Sequence, residues 1–367
     1  MASIYKTIRS EDIASTRTVL HEAIPLTGTI VSGTYADSNI KNYSHGMFQS
    51  VYDYPYLSSS ANHVFDISMG MSTGSAFYSS ITSQKAKKNN IYNQMAQILV
   101  GYDKLGNINR FDSDGDLFTT TDDKMNDVVF MTFSRLLVKD EIQKGTFTLE
   151  LGVSGSYTAP FDGTSVTETG GRITLKDNGA QSDYRVNSPT GEYGILYAEN
   201  SLGFPLNGVT GSKQQKAGLI FYQAGVVAIT SSVFLGAADG GMLSSSAQWN
   251  PAQQFITASL IGSNVETNAN NLRHRIYNIA FNNSIELNSA IYFCHLGANE
   301  FNYSANPTYL SGSQIVVKAQ STDDPVSYLT TIGLYSSDNQ LMATAKVSEP
   351  IKKTPATSLT FRVRLDY

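Results

Sequence analysis

The stretch Leu359-Thr360-Phe361-Arg362-Val363-Arg364-Leu365-Asp366-Tyr367 closes the chain with a strict alternation of apolar and polar side chains. Successive side chains of a β-strand point to opposite faces of the sheet, so this pattern predicts a half-buried strand with its charges on one face. Two further apolar runs precede it, at residues 327–335 and 341–347, separated by the turn residues 336–339. We therefore expect a three-stranded meander ending at the last residue, which is typical of a rigid building block more than of an enzyme with a mobile tail.

The composition points in the same direction. The 367 residues are 41% hydrophobic, 11% aromatic and only 16% charged, and Ser, Thr, Asn, Gly and Tyr outweigh Lys and Glu. Aromatic and β-branched residues fit a pleated surface, while Asn, Ser and Gly fit turns, so the mix favours strands over helices. The net charge of -5 gives no reason to expect a nucleic-acid partner. The single cysteine, Cys294, cannot form an intrachain disulfide, and we expect it to be a small buried hydrophobe.

Strand signals recur at short intervals after residue 145. They lie at residues 146–153, 172–176, 194–198, 218–234, 255–260, 275–281, 285–295 and 314–319. Turn residues separate them at 162–163, 177–179, 207–208, 239–241 and 282–283. The sequence thus predicts a mainly β fold, a sandwich or a barrel-like sheet with long loops, and a few helices in the N-terminal part.

Two helices are predicted before residue 145. The first begins at Ser10, with Glu11 and Asp12 against its dipole, and ends before Pro25. The second covers residues 83–100, with Ile91, Met95, Ile98 and Leu99 on one face, opposite Lys85, Lys88 and Asn89. Residues 128–138 pass from a strand-like run into a stretch whose state periodicity does not settle. We divide the chain into a mixed α/β region at 1–145, a β-rich region at 146–320 and the C-terminal meander at 321–367.

The sharpest local motif is an acidic loop. Asp112, Asp114 and Asp116 alternate along it, and Asp123 stands at the twelfth position, where a Ca²⁺ loop places its closing carboxylate. An EF-hand has its glycine at position six, whereas Gly115 stands at position four. The loop is therefore either a Ca²⁺ site or a solvated acidic turn, and Ca²⁺ is the one cofactor that the sequence offers.

The densest aromatic stretch is residues 43–56, with Tyr43, Phe48, Tyr52, Tyr54 and Tyr56. We interpret it as a subunit contact surface, because tyrosine is enriched at interfaces; a sugar-stacking platform is the alternative.

Motifs for catalysis are missing from the sequence. The five histidines show no metal-binding spacing, and there is no Gly-x-Ser-x-Gly elbow and no phosphate-binding glycine loop. Nothing selects a pair of carboxylates for glycoside cleavage. No signal peptide and no apolar stretch of ~18 residues is visible, so we expect a soluble protein made in a cytoplasm, without a membrane partner.

Several segments together resemble virion structural proteins of tailed bacteriophages, especially those of marine cyanophages with contractile tails. These segments are residues 40–57, 133–141, 218–226, 331–335 and 348–355. The likeness spans most of the chain and brings no catalytic motif with it. It implies a protein of the phage particle, in the tail or baseplate.

The main functional hypothesis is a non-enzymatic virion subunit of the baseplate or tail. It would be assembled in the host cytoplasm, be present in several copies and contact other virion proteins over large interfaces. Two alternatives stay open: a protein of the neck or capsid surface, and a Ca²⁺-dependent receptor- or glycan-binding module of the tail. An enzyme is the third.

Overall fold

A computed structural model of the chain describes residues 5–27, 39–52, 63–78, 81–117, 123–153, 172–199, 215–236, 241–243, 263–304, 307–312, 314–316, 318, 320 and 322–367. The predicted mainly β fold is confirmed. The strands are β1 (Ile13–Thr27), β2 (Ile40–Asn42), β3 (Gln49–Tyr52), β4 (His63–Met71), β5 (Asp127–Phe133), β6 (Glu141–Ile142), β7 (Thr148–Gly152), β8 (Arg172–Lys176), β9 (Arg185–Ser188), β10 (Gly191–Glu199), β11 (Gln215–Phe221), β12 (Val226–Thr230), β13 (Ile276–Leu296), β14 (Leu310–Ser311), β15 (Gln314–Ile315), β16 (Ser327–Tyr335), β17 (Leu341–Lys353) and β18 (Leu359–Asp366). Within the described residues, the α-helices are α1 (Ser83–Leu99), α2 (Arg135–Val138) and α3 (Val265–Arg275).

Fourteen strands belong to one sheet, and two strand pairs stand outside it. The order in the large sheet is β1-β13-β7-β8-β10-β11-β12-β5-β4-β3-β2, with β6 and β18 also on β13 and β9 on β10. Its ladders from β7 to β2 are antiparallel. Strands β14 and β15 pair only with each other within the described residues, and so do β16 and β17.

The chain divides into two compact units. A larger unit comprises Leu20–Ile285, and a smaller unit comprises Met1–Val19 with Glu286–Tyr367. The predicted boundary at residue 145 falls inside the larger unit, where Ile142 and Phe147 share one core. The predicted boundary at residue 320 falls inside the smaller unit.

The larger unit is built around apolar clusters on both faces of its central strands. Along β5, Val129, Met131 and Phe133 belong to one cluster, and Val128 and Phe130 belong to the other. Phe133 also meets Phe281 of β13, with ring centroids 5.1 Å apart, although β5 and β13 are far apart in the strand order. The sheet therefore curls over its first cluster, as a sandwich or a barrel-like sheet does.

Helix α1 covers the second cluster, and its orientation corrects the predicted face. Ile91 and Leu99 are buried as expected, but Ile98 is 60% exposed, and Lys85 and Lys88 are buried. The reason is a close approach at Gly70 of β4, where a Cβ atom would lie 2.9 Å from the Cα of Tyr92. The helix therefore turns Tyr92 toward the strand, and Lys88, one turn earlier, turns inward with it.

The first predicted helix is wrong. Ser10–Asp12 is a single 3-10 turn, and Ile13–Thr27 is strand β1. β-Branched residues such as Thr16, Thr18 and Val19 favour a strand, and Pro25 is tolerated because β1 ends the strand order and is an edge strand. Helix α3 is a second departure from the prediction, because it lies outside the N-terminal part, where helices were expected.

The expected turn at residues 282–283 is wrong as well. Strand β13 runs through both asparagines without interruption. Asn283 is fully buried, and its side-chain amide donates to the carbonyl of Leu137 at 2.8 Å. That partner lies far away along the chain, so local turn propensity is overridden. The predicted strand at 255–260 and the turns at 162–163 and 207–208 lie outside the described residues.

The C-terminal strands form, but not as one meander. The alternation of β18 is confirmed, because Thr360, Arg362, Arg364 and Asp366 are exposed while Val363 is buried. Strands β16 and β17 make a hairpin around the predicted turn, whereas β18 pairs with β13 and not with β17. On β13 it gains a continuous partner, in which Leu359 lies opposite Leu296 and Phe361 lies opposite the half-buried Cys294.

Candidate functional site

The β2–β3 hairpin, at one end of the large sheet, carries an aromatic cluster. The rings of Tyr43 and His45 stack at 5.2 Å, and Phe48 lies 4.8 Å from Tyr43 and 5.0 Å from His45. The ammonium group of Lys41 lies 5.1 Å from the centroid of the Tyr43 ring. We call Tyr43, His45 and Phe48 the hairpin cluster. It brings together two of the five predicted contact residues.

A chain of hydrogen bonds ties the hairpin cluster to the sheet. The hydroxyls of Tyr43 and Ser50 are 3.2 Å apart, and Ser50 donates to Asp66 at 2.5 Å. The Nε2 atom of His63 lies 2.8 Å from the same carboxylate oxygen. The carboxylate thus stands between serine and histidine, so the histidine is not placed to take the serine proton as a catalytic base would. The arrangement fixes the hairpin.

The other three predicted contact residues are placed differently. Tyr52 packs on His63 with ring centroids 5.5 Å apart, away from the hairpin cluster. Tyr54 and Tyr56 lie outside the described residues.

The acidic loop does bring three of its four carboxylates together. Oxygen atoms of Asp112, Asp114 and Asp116 lie within 4.8 Å of one another. Asx-type hydrogen bonds shape the loop, because Asp112 accepts from the backbone amide of Asp114 at 3.1 Å and Asp114 accepts from that of Asp116 at 3.2 Å. Gly115 has a φ of 74°, a left-handed conformation that favours glycine. The spacing therefore predicted the cluster, and local geometry explains it.

The charge of this loop is partly balanced by lysines of the chain itself. Lys124 lies 2.5 Å from the fully buried carboxylate of Asp112. Lys216 lies 3.6 Å from Asp114 and 4.0 Å from Asp123, whose side chain is not part of the cluster. Burial raises the pKa of Asp112 to about 6, and the hydrogen bond from Asp112 lowers the pKa of Asp114. The carboxyl of Asp112 therefore takes up a proton at a higher pH than that of Asp114.

An open groove of about 420 Å³ adjoins the loop. Its lining consists of Gly115, Asp116, Tyr184, Arg185, Val186 and Asn187. The side chains of Tyr184 and Val186 are 39% and 68% exposed, so the groove offers an aromatic and an aliphatic surface beside a carboxylate. This pairing of surfaces suits a sugar ring.

The smaller unit shows a feature that sequence reasoning missed. Within its described residues, Ala290 and Val363 are the only buried hydrophobic residues. Its exposed large hydrophobic residues are Tyr5, Ile13, Val19, Leu287, Phe293, Phe301, Tyr303, Val316, Tyr328, Tyr335, Leu341, Met342 and Tyr367. The alternation of the C-terminal strands predicted a buried face, but within the described residues that face is covered only in part.

Four of these exposed residues, Tyr328, Tyr335, Leu341 and Met342, lie on the β16–β17 hairpin, which we call the ribbon. Tyr5 lies against Tyr335, with ring centroids 4.8 Å apart. A Cβ atom at Gly333 would meet Tyr335 at 2.9 Å and Leu341 at 3.3 Å, so both side chains fold over the glycine. The base of the ribbon is held by a buried ammonium, because Lys353 donates to the carbonyl of Ala298 and to the side chain of Asn302, both at 2.8 Å.

A second missed feature is a pair of buried charges under α1. Lys88 is fully buried, and its ammonium has no hydrogen-bond partner. Asp127 is the charge that acts on it, and one oxygen of Asp127 also lacks a partner while Ser75 donates to the carboxylate. Burial lowers the pKa of Lys88 to about 8 and raises that of Asp127 to about 6. The helical pattern placed Lys88 on the exposed face, so this pair was not predicted.

No protein-family model matches the chain, and no curated protein and no solved structure matches it either. Within the described residues, no helix is long and apolar enough to cross a membrane.

Proposed function

We propose that the chain is a non-enzymatic structural subunit of a tailed-phage virion, placed in the baseplate or tail and present in several copies. The observation that supports this most is the exposed apolar surface of the smaller unit. Among the described residues of this unit, thirteen large hydrophobic side chains are exposed, and only Ala290 and Val363 are buried hydrophobic residues. Exposed apolar patches of this kind mark protein contact sites.

The energetics of small β-sheets explain why the ribbon needs a neighbour. An isolated two-stranded hairpin is marginally stable in water, and three or more strands with a covered face are needed for independent stability. The ribbon has two strands, and its residues Tyr328, Tyr335, Leu341 and Met342 are each about half exposed or more. A neighbouring subunit that covers the ribbon would supply the missing contacts. Contacts within the particle would then cover the apolar side chains that the ribbon exposes in the free protein.

The hairpin cluster offers a second contact surface, on the larger unit. Its three rings contact one another at the end of the sheet, and His45 is exposed. Tyrosine and phenylalanine held in this way lose little entropy when they bind, which suits an interface anchor. Two separate contact surfaces let one subunit bridge two neighbours.

The test is to find the chain in purified particles. Quantitative mass spectrometry of gradient-purified phage should detect it in several copies, and immunogold labelling with an antibody against residues 205–215 should mark the tail end. Label on the head or neck would move the subunit to the neck or capsid surface. Absence of the chain from intact and opened particles alike would remove the virion proposal.

A second candidate is a Ca²⁺-dependent glycan-binding module of the tail. The convergence of Asp112, Asp114 and Asp116 beside the Tyr184 groove favours it, because hard cations take oxygen ligands and sugars stack on aromatic rings. Binding of host envelope polysaccharide should be lost in EDTA and in Asp114→Asn. The control Asp338→Asn removes the same charge from an exposed turn and should keep binding. Binding that survives chelation would eliminate this candidate.

A further inference from the structure

The ribbon has fewer strands than an independently stable sheet needs. Its two strands pair with each other and with no other strand in the part of the chain that the structure describes. Each strand therefore has one outer edge of backbone N–H and C=O groups open for pairing. Open edges are templates for another strand, and proteins protect the edges that must stay unpaired.

The outer edge of β17 carries that protection. The ladder is irregular at two places, between Leu329 and Thr331 and between Leu334 and Tyr335, and in both the extra residues belong to β17. The larger irregularity contains Glu349 and Pro350, flanked by Lys346 and Lys352. Bulges, charges and a proline are the features that block the addition of a strand. The edge strand β1 likewise carries Arg17, Glu22 and Pro25.

The outer edge of β16 has none of these features. Its nine residues, Ser-Tyr-Leu-Thr-Thr-Ile-Gly-Leu-Tyr, include no charge and no proline, and Thr330 is the one among them that has no partner in the ladder with β17. At about 3.3 Å per residue the strand offers an edge roughly 30 Å long. An uncharged edge of this length without proline is competent to take a partner strand.

We propose that the partner is β16 of a second copy of this chain, paired antiparallel about a two-fold axis at Thr331. This names the partner at the surface on which the proposed function rests. Thr331 is the midpoint of Ser327–Tyr335, so this register overlaps the whole strand. It places Tyr328 opposite Leu334 of the second copy and Thr330 opposite Ile332. The product is a four-stranded sheet in the order β17-β16-β16-β17, which has the strand number that the ribbon alone lacks.

Charge favours self-pairing at β16 over self-pairing at β18, another strand of the smaller unit. In β16 no pairing sets like charges against each other, because the strand has no charged residue. Strand β18 paired with itself about Val363 would set Arg362 against Arg364 of the second copy. Like charges directly opposite each other destabilise a strand pair. In a two-fold pair the open β16 edge of one copy pairs with the open β16 edge of the other, so a single self-complementary contact satisfies both.

The first experiment measures the mass of the purified chain in solution by sedimentation. The wild type should be a dimer, and Thr331→Lys should be a monomer, because it places two lysines face to face at the axis. The matched control Ser348→Lys adds the same charge to an exposed position of β17 and should stay dimeric. A wild type that is monomeric at every concentration, or a Thr331→Lys dimer, overturns the proposal.

The second experiment tests the register. In a Cys294→Ser background, Thr331→Cys should form a disulfide-linked dimer on mild oxidation, because opposite Cα atoms in an antiparallel pair lie about 4.5 to 5.5 Å apart. Thr344→Cys, on β17, should not cross-link. Cross-linking at both positions, or at Thr344 alone, contradicts the register. A dimer that is absent from particles would leave this inference standing and remove the proposed function; a monomer found in particles would do the reverse.

Discussion

Strand β13 carries two phenylalanines that belong to different units. Phe281, in the larger unit, is 2% exposed and touches Phe133 and Phe147. Phe293, twelve residues later in the smaller unit, is 38% exposed. The same residue type on the same strand is thus core in one place and surface in the other. The larger unit buries its own apolar side chains, whereas the described part of the smaller unit leaves many of them exposed, and we propose that a neighbour covers them.

The largest expected effect comes from shortening each phenylalanine in turn. Phe281→Ala should lower the free energy of unfolding by about 3 to 5 kcal/mol, because it opens a cavity in a packed core. Phe293→Ala should change it by about 0.5 kcal/mol or less. Urea denaturation of both variants measures the difference. Equal losses of unfolding free energy in the two variants would show that Phe281 and Phe293 do not differ as core and surface residues.

The buried charge pair under α1 should weaken the larger unit at neutral pH. Replacing both groups, with Lys88→Met and Asp127→Asn, should raise the free energy of unfolding by about 1 to 4 kcal/mol, as for other buried pairs exchanged for neutral side chains. Denaturation at pH 7 measures the gain. A loss of stability in the double variant would show that the charge pair stabilises the fold.

The pH dependence gives this pair a second signature. With the pKa of Asp127 raised from 3.8 to about 6, the folded chain holds a proton that the unfolded chain has released, so stability falls as pH rises through that window. With the pKa of Lys88 lowered from 10.5 to about 8, the unfolded chain holds the extra proton, so stability rises with pH above 8. The advantage of the double variant should therefore be greatest between pH 6 and 8. An advantage independent of pH would contradict the assignment.

In the smaller unit a polar contact should matter more than an apolar one. Lys353→Met removes a buried ammonium that three oxygen acceptors satisfy, which should cost about 1 to 3 kcal/mol locally. Hydrogen exchange should speed up around residues 298–302 and stay unchanged in β5. The control Lys352→Met neutralises the exposed neighbour and should leave both regions unchanged. Equal acceleration in β5 would show that the units unfold together.

The smallest effect concerns the acidic loop. Lys124 balances the buried Asp112, so Lys124→Met should raise the affinity of the loop for Ca²⁺ relative to the wild type. Calorimetric titration compares the two, with Lys176→Met as the control, since Lys176 pairs with Glu199 outside the loop. A lack of Ca²⁺ binding in both chains would mean that the loop is a turn without a cation site, and equal affinities would show that Lys124 does not weaken cation binding.

Regular patterns in the sequence predicted the elements whose faces differ in polarity. The alternation of β18, the alternation of β8 and the helical period of α1 all appear as elements near their expected bounds. Partner choice was not predictable in this way. The pairing of β18 with β13, and of Asn283 with Leu137, depends on residues far apart along the chain.

The candidate sites also divide into features that follow from local sequence and features that depend on distant residues. The cluster of Asp112, Asp114 and Asp116 follows from local spacing, and it forms. The inward turn of Lys88 depends on how closely α1 approaches Gly70, which no helical pattern encodes. The open ribbon was missed because an apolar strand face predicts burial without saying whether the covering surface comes from the same chain.

The central claim is that the smaller unit is completed by neighbours in a virion. Hydrogen exchange of the ribbon, Ser327–Tyr335 and Leu341–Lys353, measured in the free monomeric Thr331→Lys variant and in the wild-type chain within purified particles, tests it most directly. Strands β4 and β5, closed within the larger unit, serve as the internal reference. We expect fast exchange of the ribbon in the free variant, strong protection in the particle and no change in β4 and β5. A ribbon that exchanges equally fast in both, or particles that lack the chain, would contradict it.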